Sequence, residues 1–196
     1  KLGLVSTSGR VHLRDSFLTH QTSGRAKLLG ELVRRIQSLK KKGFQCGFKV
    51  VGVGIGAPGP IDVRRGLVYF FPNIPGWRNT PLKKILQGRI HLPVWVDNDA
   101  SVMALAEYFF GAGRGSKNMI ALTLGTGVGG GLVIDGKLFH GSAFSAAELG
   151  HLVINEGGRR CACGSRGCVE AYVGSRAFVR EVKSRLKSGA GSSLNA

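Results

Sequence analysis

The sequence predicts an α/β fold, and three observations carry that expectation. Short β-branched runs at 49–55, 94–96 and 120–124 alternate with helix-period segments at 26–42 and 100–110. Clusters of Gly, Pro, Asn and Asp punctuate the alternation. No self-similar period of about 20–50 residues replaces it, so a repeat architecture is excluded.

The elements follow in order. Residues 5–11 read as the end of a strand, a turn and the next strand. Leu28, Leu29, Leu32, Val33, Ile36 and Leu39 recur at helical spacing, predicting an amphipathic helix over 26–42 that Gly43 stops. The run 49–55 predicts a buried strand, ended by the forced loop Gly56-Ala57-Pro58-Gly59-Pro60. Thr80-Pro81 opens a short helix, with Thr as N-cap and Pro at the first position. A short strand at 94–96 leads into an Ala-rich helix, 100–110, ending near Gly111. A strand at 120–124, a Gly-rich turn and a strand at 131–134 come next. Asp135-Gly136 then predicts a hairpin turn to a strand at 137–139. The last helix spans 175–186, is basic and amphipathic, and leaves a small, polar, frayed tail at 188–196.

With 196 residues, 43% of them hydrophobic, the chain can bury a core, which argues against intrinsic disorder. The net charge of +17, from 28 Lys+Arg against 11 Asp+Glu, invites a nucleic-acid reading. The distribution argues against it. The basic clusters are small (Arg34-Arg35, Lys40-Lys41-Lys42, Arg159-Arg160), and no zinc-finger, helix-turn-helix or RNA-binding signature accompanies them. The expectation is solvated basic faces that attract anionic substrates, with no nucleic-acid or membrane partner. The least polar stretches, 50–61 and 119–134, are short and broken by Gly, which argues against a transmembrane helix. Lys1-Leu2-Gly3-Leu4 carries no signal core, so the expected setting is the cytoplasm. Cys46 stands alone and reads as a small core hydrophobe. Cys161, Cys163 and Cys168 crowd together, which suggests thiolates on a metal rather than disulfides.

Four constellations carry chemistry. Leu124-Gly125-Thr126-Gly127-Val128-Gly129-Gly130-Gly131 lies between two expected strands. Its consecutive N–H groups can form an anion-binding nest and Thr126 can add a hydroxyl, or the glycines can serve a tight hairpin alone. It is neither a Walker loop nor a dinucleotide fingerprint, because no helix opens directly after it. Asp97-Asn98-Asp99-Ala100 sits where a strand ends and a helix begins, the usual ligand side of an open α/β sheet. One of the three polar residues caps the helix. The surplus favours a general base for a substrate hydroxyl. Glu148-Leu149-Gly150-His151, followed by Cys161-Ala162-Cys163-Gly164-Ser165-Arg166-Gly167-Cys168-Val169-Glu170, supplies one His and three Cys, the donor set of a closed structural zinc site. Glu148 and Glu170 flank those ligands as paired acceptors suited to a polyhydroxylated ligand. The fourth, the loop 54–62 with the run Phe71-Pro72-Asn73-Ile74-Pro75-Gly76-Trp77, is a pair of rigid segments after a buried strand, which composition alone does not separate from plain loops. His20, His91 and His140 read as surface or packing residues.

Together these motifs, in this order and spacing, resemble the ROK family (repressors, open reading frames and sugar kinases). The likeness rests on Gly-Ile-Gly-Ala-Pro-Gly-Pro-Ile-Asp at 54–62, Asn73-Ile74-Pro75-Gly76-Trp77, Asn98-Asp99-Ala100, the 124–131 run, Glu148-Leu149-Gly150-His151 and the cysteine run ending in Glu170. Within the family it looks most like the bacterial glucokinases. The resemblance implies an actin-like, ribonuclease-H-like sugar-kinase fold. It implies ATP–Mg²⁺ as donor and a hexose, foremost glucose, phosphorylated at its 6-hydroxyl. By the same resemblance Asp99 is the catalytic base, and Gly59, Asn98, Glu148, His151 and Glu170 contact the sugar. Gly125, Thr126 and Gly127 would hold donor phosphates. His151, Cys161, Cys163 and Cys168 would ligate a structural Zn²⁺.

The family's opening strand and Asp-X-Gly-Gly-Thr phosphate loop are absent, and so is its segment after the last helix. The expectation is therefore an incomplete fold. It would comprise an N-terminal lobe, 1–97, and part of a C-terminal lobe, 98–196, with a zinc-binding segment at 151–168. Such a chain would turn over poorly alone. The full protein is expected to be a homodimer or homotetramer. Kinases for other hexoses or N-acetylhexosamines share most of these residues. Two further readings are a sugar-responsive repressor whose DNA-binding part is missing, and a zinc-stabilised binding module without chemistry.

Overall fold

In the computed structural model the described residues are all but 20–23, 72, 73, 75 and 194–196. The expectations for His20, and for Pro72, Asn73 and Pro75 of the second rigid loop, fall outside them. The chain forms two compact units, Lys1–Val102 with Phe110–Ala112, and Met103–Phe109 with Gly113–Ala196. They part inside a helix, whereas the sequence reading placed the division at 97/98.

In the first unit, β1 (Leu2–Val5) and β2 (Val11–Asp15) form an antiparallel hairpin. Helix α1 (Arg25–Gln45) buries Leu28, Leu29, Ile36 and Leu39, the stripe its spacing predicts. It runs through Gly43 rather than stopping there. Gly43 is buried, and a Cβ on it would press 2.9 Å from Leu4 Cδ2, so this glycine serves packing against β1. The stop falls at Gly47, whose φ of 80° is the left-handed conformation that terminates helices. Cys46 is the C-cap and is exposed, so it is not a core residue.

Strands β3 (Val53–Ala57) and β7 (Val94–Asn98) pair in parallel from Val53↔Val94 to Ala57↔Asn98. Strand β3 begins later than expected. Val51 is 72% exposed, while Val53 and Ile55 are half-buried. A run is fully buried only when neighbours flank it, and among the described residues β7 alone pairs with β3. Between them lie β4 (Ile61–Asp62), β5 (Leu67–Phe70), β6 (Arg78–Thr80) and helix α2 (Leu82–Ile90). Thr80 is not the expected cap. It ends β6, buried, with its hydroxyl on the Arg78 carbonyl, and Pro81 occupies the N-cap position of α2. The core joins Leu28, Leu29 and Ile36 to Leu82, Leu86, Ile90, Val94 and Val96, with Ile61 and Val68 beneath them. Its effect is to hold the ends of β3 and β7 level.

Helix α3 (Asp99–Phe110) contributes residues to both units. The second unit contains the antiparallel sheet β10-β9-β8, from β8 (Met119–Leu124), β9 (Val128–Ile134) and β10 (Lys137–Leu138). Asp135 and Gly136, with φ of 49° and 73°, make the expected hairpin turn. A single-turn 3-10 helix (Leu149–His151), α4 (Glu170–Val173) and α5 (Ser175–Lys187) complete it. Among the described residues, no helix is long and apolar enough to cross a membrane.

Candidate active site

The first unit brings Gly59, Asn98 and Asp99 together. Because β3 and β7 end level, the loop after β3 and the start of α3 lie side by side. Asn98 is the cap: its Oδ1 accepts the N–H of Ala100 at 2.9 Å and of Ser101 at 3.2 Å. Its Nδ2 donates to the Gly59 carbonyl at 3.3 Å, which fixes the loop against the helix start. Asp97 accepts the Asn98 N–H at 2.7 Å. Capping therefore falls to Asn98. Asp99 stays exposed in the first turn of α3, with one carboxylate oxygen on the Ala100 N–H. The helix N-terminus favours its negative charge, and its free oxygen is an acceptor for a hydroxyl proton.

The second unit brings the cluster together. The donor atoms of His151, Cys161, Cys163 and Cys168 all lie within 4.8 Å of one another. Cys161 Sγ is 3.7 Å from His151 Nδ1, and Cys163 Sγ is 3.8 Å from Cys168 Sγ. A tetrahedron with Zn–S bonds near 2.3 Å has S···S edges of about 3.8 Å, so the donor set and its spacing fit zinc. The ligands are carried by a knuckle in which the Cys161 N–H donates to the Ser165 carbonyl and Arg160 bridges Arg166. Tyr172, from α4, braces it by accepting from Asn155 Nδ2 and the Arg159 N–H, each at 3.1 Å. Burial pushes the Cys168 thiol up to about 11. A backbone hydrogen bond at Ser165 lowers the exposed Cys163 thiol below its ordinary value. The His151 ring has two faces: Nδ1 points to the thiols, while Nε2 lies 4.0 Å from the exposed Glu148 carboxylate. One ring can thus serve the metal and a ligand at once.

The 3-10 turn lies against β9 because two glycines permit it. A Cβ on Gly130 would meet the Ala147 carbonyl at 2.6 Å, and one on Gly150 would run into Val128. The pairing Leu124↔Val128 leaves Gly125, Thr126 and Gly127 as a three-residue hairpin connection, closed by Gly125 N–H to the Gly127 carbonyl at 2.9 Å. The turn is therefore a tight hairpin. Among the described residues, the Thr126 and Gly127 amides carry no protein partner, which leaves them available to an anion. Glu170 is half-buried, and its Oε2 accepts the Val128 N–H at 2.9 Å. The sequence offers no sign of that contact. His91 is exposed and His140 half-buried, as expected of surface and packing residues.

Comparison with known proteins agrees with this picture. The chain is 49% identical over 147 residues to a glucokinase of Streptomyces coelicolor, covering 75% of this chain and 46% of that protein. It is 40% identical over 163 residues to a xylose repressor of Caldicellulosiruptor bescii, covering 83% and 41%. The chain spans about half the length of the curated relatives it matches. Among solved structures, a ROK family glucokinase of Streptomyces griseus in complex with glucose and AMPPNP superposes with a TM-score of 0.78 at 40% identity. That match covers 95% of this chain and 57% of the other. A ROK family transcriptional regulator, a homologue of the E. coli MLC protein, superposes at 0.88 with 29% identity, covering 98% and 48%. The architecture is the α/β, actin-like sugar-kinase fold. The ROK family description matches residues 3–195, and the chain belongs to the ROK family.

Proposed function

We propose that the protein containing this chain phosphorylates a hexose, foremost glucose, at the 6-hydroxyl, with ATP–Mg²⁺ as donor. One observation carries the reading. Asn98 accepts both the Ala100 and Ser101 N–H groups at the start of α3 and Asp99 shares only the first, so the Asp99 carboxylate is left exposed at a strand–helix junction with an oxygen to spare. The helix N-terminus accounts for the charge and one oxygen of Asp99, and removal of a hydroxyl proton gives a use for the other. Identity to glucokinases, and the fold shared with a glucokinase that binds glucose and AMPPNP, support the same conclusion.

In the first unit Asp99 accepts the proton of the attacking hydroxyl, while Asn98 and Gly59 shape the sugar loop. In the second unit Glu148, His151 Nε2 and Glu170 offer polar atoms to sugar hydroxyls. The Gly125, Thr126 and Gly127 segment presents amides to donor phosphates. Catalysis is positioning plus electrostatics. Mg²⁺ supplies the charge that offsets the phosphate oxygens. His151, Cys161, Cys163 and Cys168 hold Zn²⁺, which orders residues 151–168. A cytoplasmic homodimer or homotetramer fits this reading.

The second reading is a sugar-responsive repressor, favoured by the identity to the xylose repressor. Asp99 argues for the enzyme, because a sensor needs no base. The deciding experiment measures ADP release by the full-length gene product over a panel of hexoses and N-acetylhexosamines. Turnover is expected with glucose. No turnover on any sugar, with sugar still stabilising the fold, would favour the repressor.

A further inference from the structure

We infer that Glu170 is a positioning residue for the glycine-rich turn, tying the shape of that turn to the metal-ligand cluster. The inference rests on the kinase reading for what the turn binds, and on geometry for the rest. Glu170 opens α4, directly after the Cys168-Val169 pair. One carboxylate oxygen accepts the Val128 N–H at 2.9 Å, across 42 residues of sequence. The other lies 3.9 Å from Cys161 Sγ, which donates to it as a thiol; a metal-bound thiolate has no proton to give, so in the loaded cluster the link to Glu170 is the backbone through Cys168-Val169. A single residue thus meets the turn through its side chain and the cluster through its backbone.

Gly127 makes the contact possible, because a Cβ there would run into the Glu170 carboxylate. Backbone contacts brace the same junction. The Ser175 N–H donates to the Gly125 carbonyl at 2.8 Å, and a Cβ on Gly174 would lie 3.3 Å from the Thr126 carbonyl. The turn is therefore pinned at both ends against α4 and α5. The amides of Thr126 and Gly127, between the pins, point where residues 125 and 128 direct them.

Helix α4 has four residues and no long lever of its own. Its first residue is fixed by whatever fixes Cys168. Ordering the cluster with a metal ion fixes Glu170, Glu170 fixes Val128, and Val128 sets the amides offered to phosphate. Such coupling is reciprocal: nucleotide bound at the turn must tighten the metal by the same factor.

The test uses the full-length protein loaded with Zn²⁺. It reads hydrogen exchange at the Val128 amide and AMPPNP–Mg²⁺ affinity, in the wild type, Glu170→Ala, Glu170→Gln and Gly127→Ala. In Glu170→Ala the Val128 amide should exchange at least roughly tenfold faster, with core amides unchanged, and AMPPNP should bind about tenfold more weakly. Glu170→Gln keeps a carbonyl acceptor and should recover most of both. Gly127→Ala should reproduce the defect with the carboxylate still present. Stripping Zn²⁺ should weaken AMPPNP binding in the wild type and add nothing in Glu170→Ala. Equal Val128 exchange in wild type and Glu170→Ala overturns the inference. So does a Glu170→Ala protein that loses sugar binding and keeps nucleotide affinity. If the wild type binds no nucleotide, the kinase reading falls by itself, and exchange at Val128 still decides the positioning role.

Discussion

Replacing Asp99 by Asn tests the proposed base apart from folding, because Asn98 makes most of the hydrogen bonds at the start of α3. Asn98 makes both cap hydrogen bonds of α3 and holds Gly59. Asp99 makes one contact, Oδ1 to the Ala100 N–H, which an Asn side-chain carbonyl can reproduce. The fold then loses only one negative charge at an exposed helix N-terminus, worth about 0.3–1 kcal/mol. On the proposed assignment the reaction loses its proton acceptor, worth roughly 10²–10⁴-fold in rate, or about 2.7–5.4 kcal/mol at 1.36 kcal/mol per decade. The assay pairs kcat for ADP release by the full-length protein with urea unfolding and sugar affinity. The expectation is turnover down at least roughly a hundredfold, the unfolding free energy within about 1 kcal/mol of wild type, and sugar affinity within about tenfold. Asn98→Ala should show the converse balance in stability, costing about 1–2 kcal/mol through the lost cap. Turnover within threefold of wild type in Asp99→Asn would refute the assignment of the base. Collapse of the fold would show that Asp99 is structural.

Metal analysis of the purified protein should give about one zinc per chain, and chelation should lower the melting temperature, since structural metal binding is folding free energy. A metal-free preparation of equal stability would remove the site. Leu86→Ala, at a fully buried position of α2, should cost about 2–5 kcal/mol by urea titration, and a cost below 1 kcal/mol would mean that the α1–α2–β7 core is loosely packed. Hydrogen bonds from Arg34 and then Arg35 hold the Glu31 carboxyl down to about 2, from an ordinary 4.5. A lowered folded value stabilises the protein above the unfolded value and is lost as pH falls from about 4.5 toward 2. The difference in urea midpoint between wild type and Glu31→Gln should therefore be present at neutral pH and fade across that window. A difference independent of pH would deny the ion network.

The features legible in the sequence were those set by near neighbours. The stripe of α1, the Asp135-Gly136 hairpin and the cysteine knuckle each follow from local spacing. Misreadings arose where a distant contact decides the outcome. Gly43 resembles a stop signal, yet its missing side chain is occupied by Leu4 from β1, and the turn geometry is supplied by Gly47. The run at 49–55 has strand composition, but burial depends on partners that composition does not encode, and Val51 is exposed. Thr80 has the chemistry of a cap, but β6 claims it. At the candidate site, that one of three polar residues would cap α3 was legible, and that it is Asn98 was not. The Glu170–Val128 contact joins residues 42 positions apart, and nothing in either motif announces the other.

Residues 151–168 of the second unit, which hold the His/Cys cluster, have little packing of their own. The packing there amounts to Cys161, Cys168 and Ala171, with Tyr172 against them. Nearby apolar residues face outward: Leu152, Val153 and Ile154 are each at least 50% exposed. A segment of this length orders its backbone at about 1–2 kcal/mol per residue, and so small a cluster cannot offset that cost. Hydrogen bonds from Asn155 and Arg159 to Tyr172 shape the knuckle but contribute only about 1 kcal/mol each. On the proposed zinc reading, metal binding, roughly 10–16 kcal/mol in small domains, is the largest single term ordering this segment. Glu170, directly after the segment, reaches from it to the glycine-rich turn, so disorder in the one is expected to loosen the other.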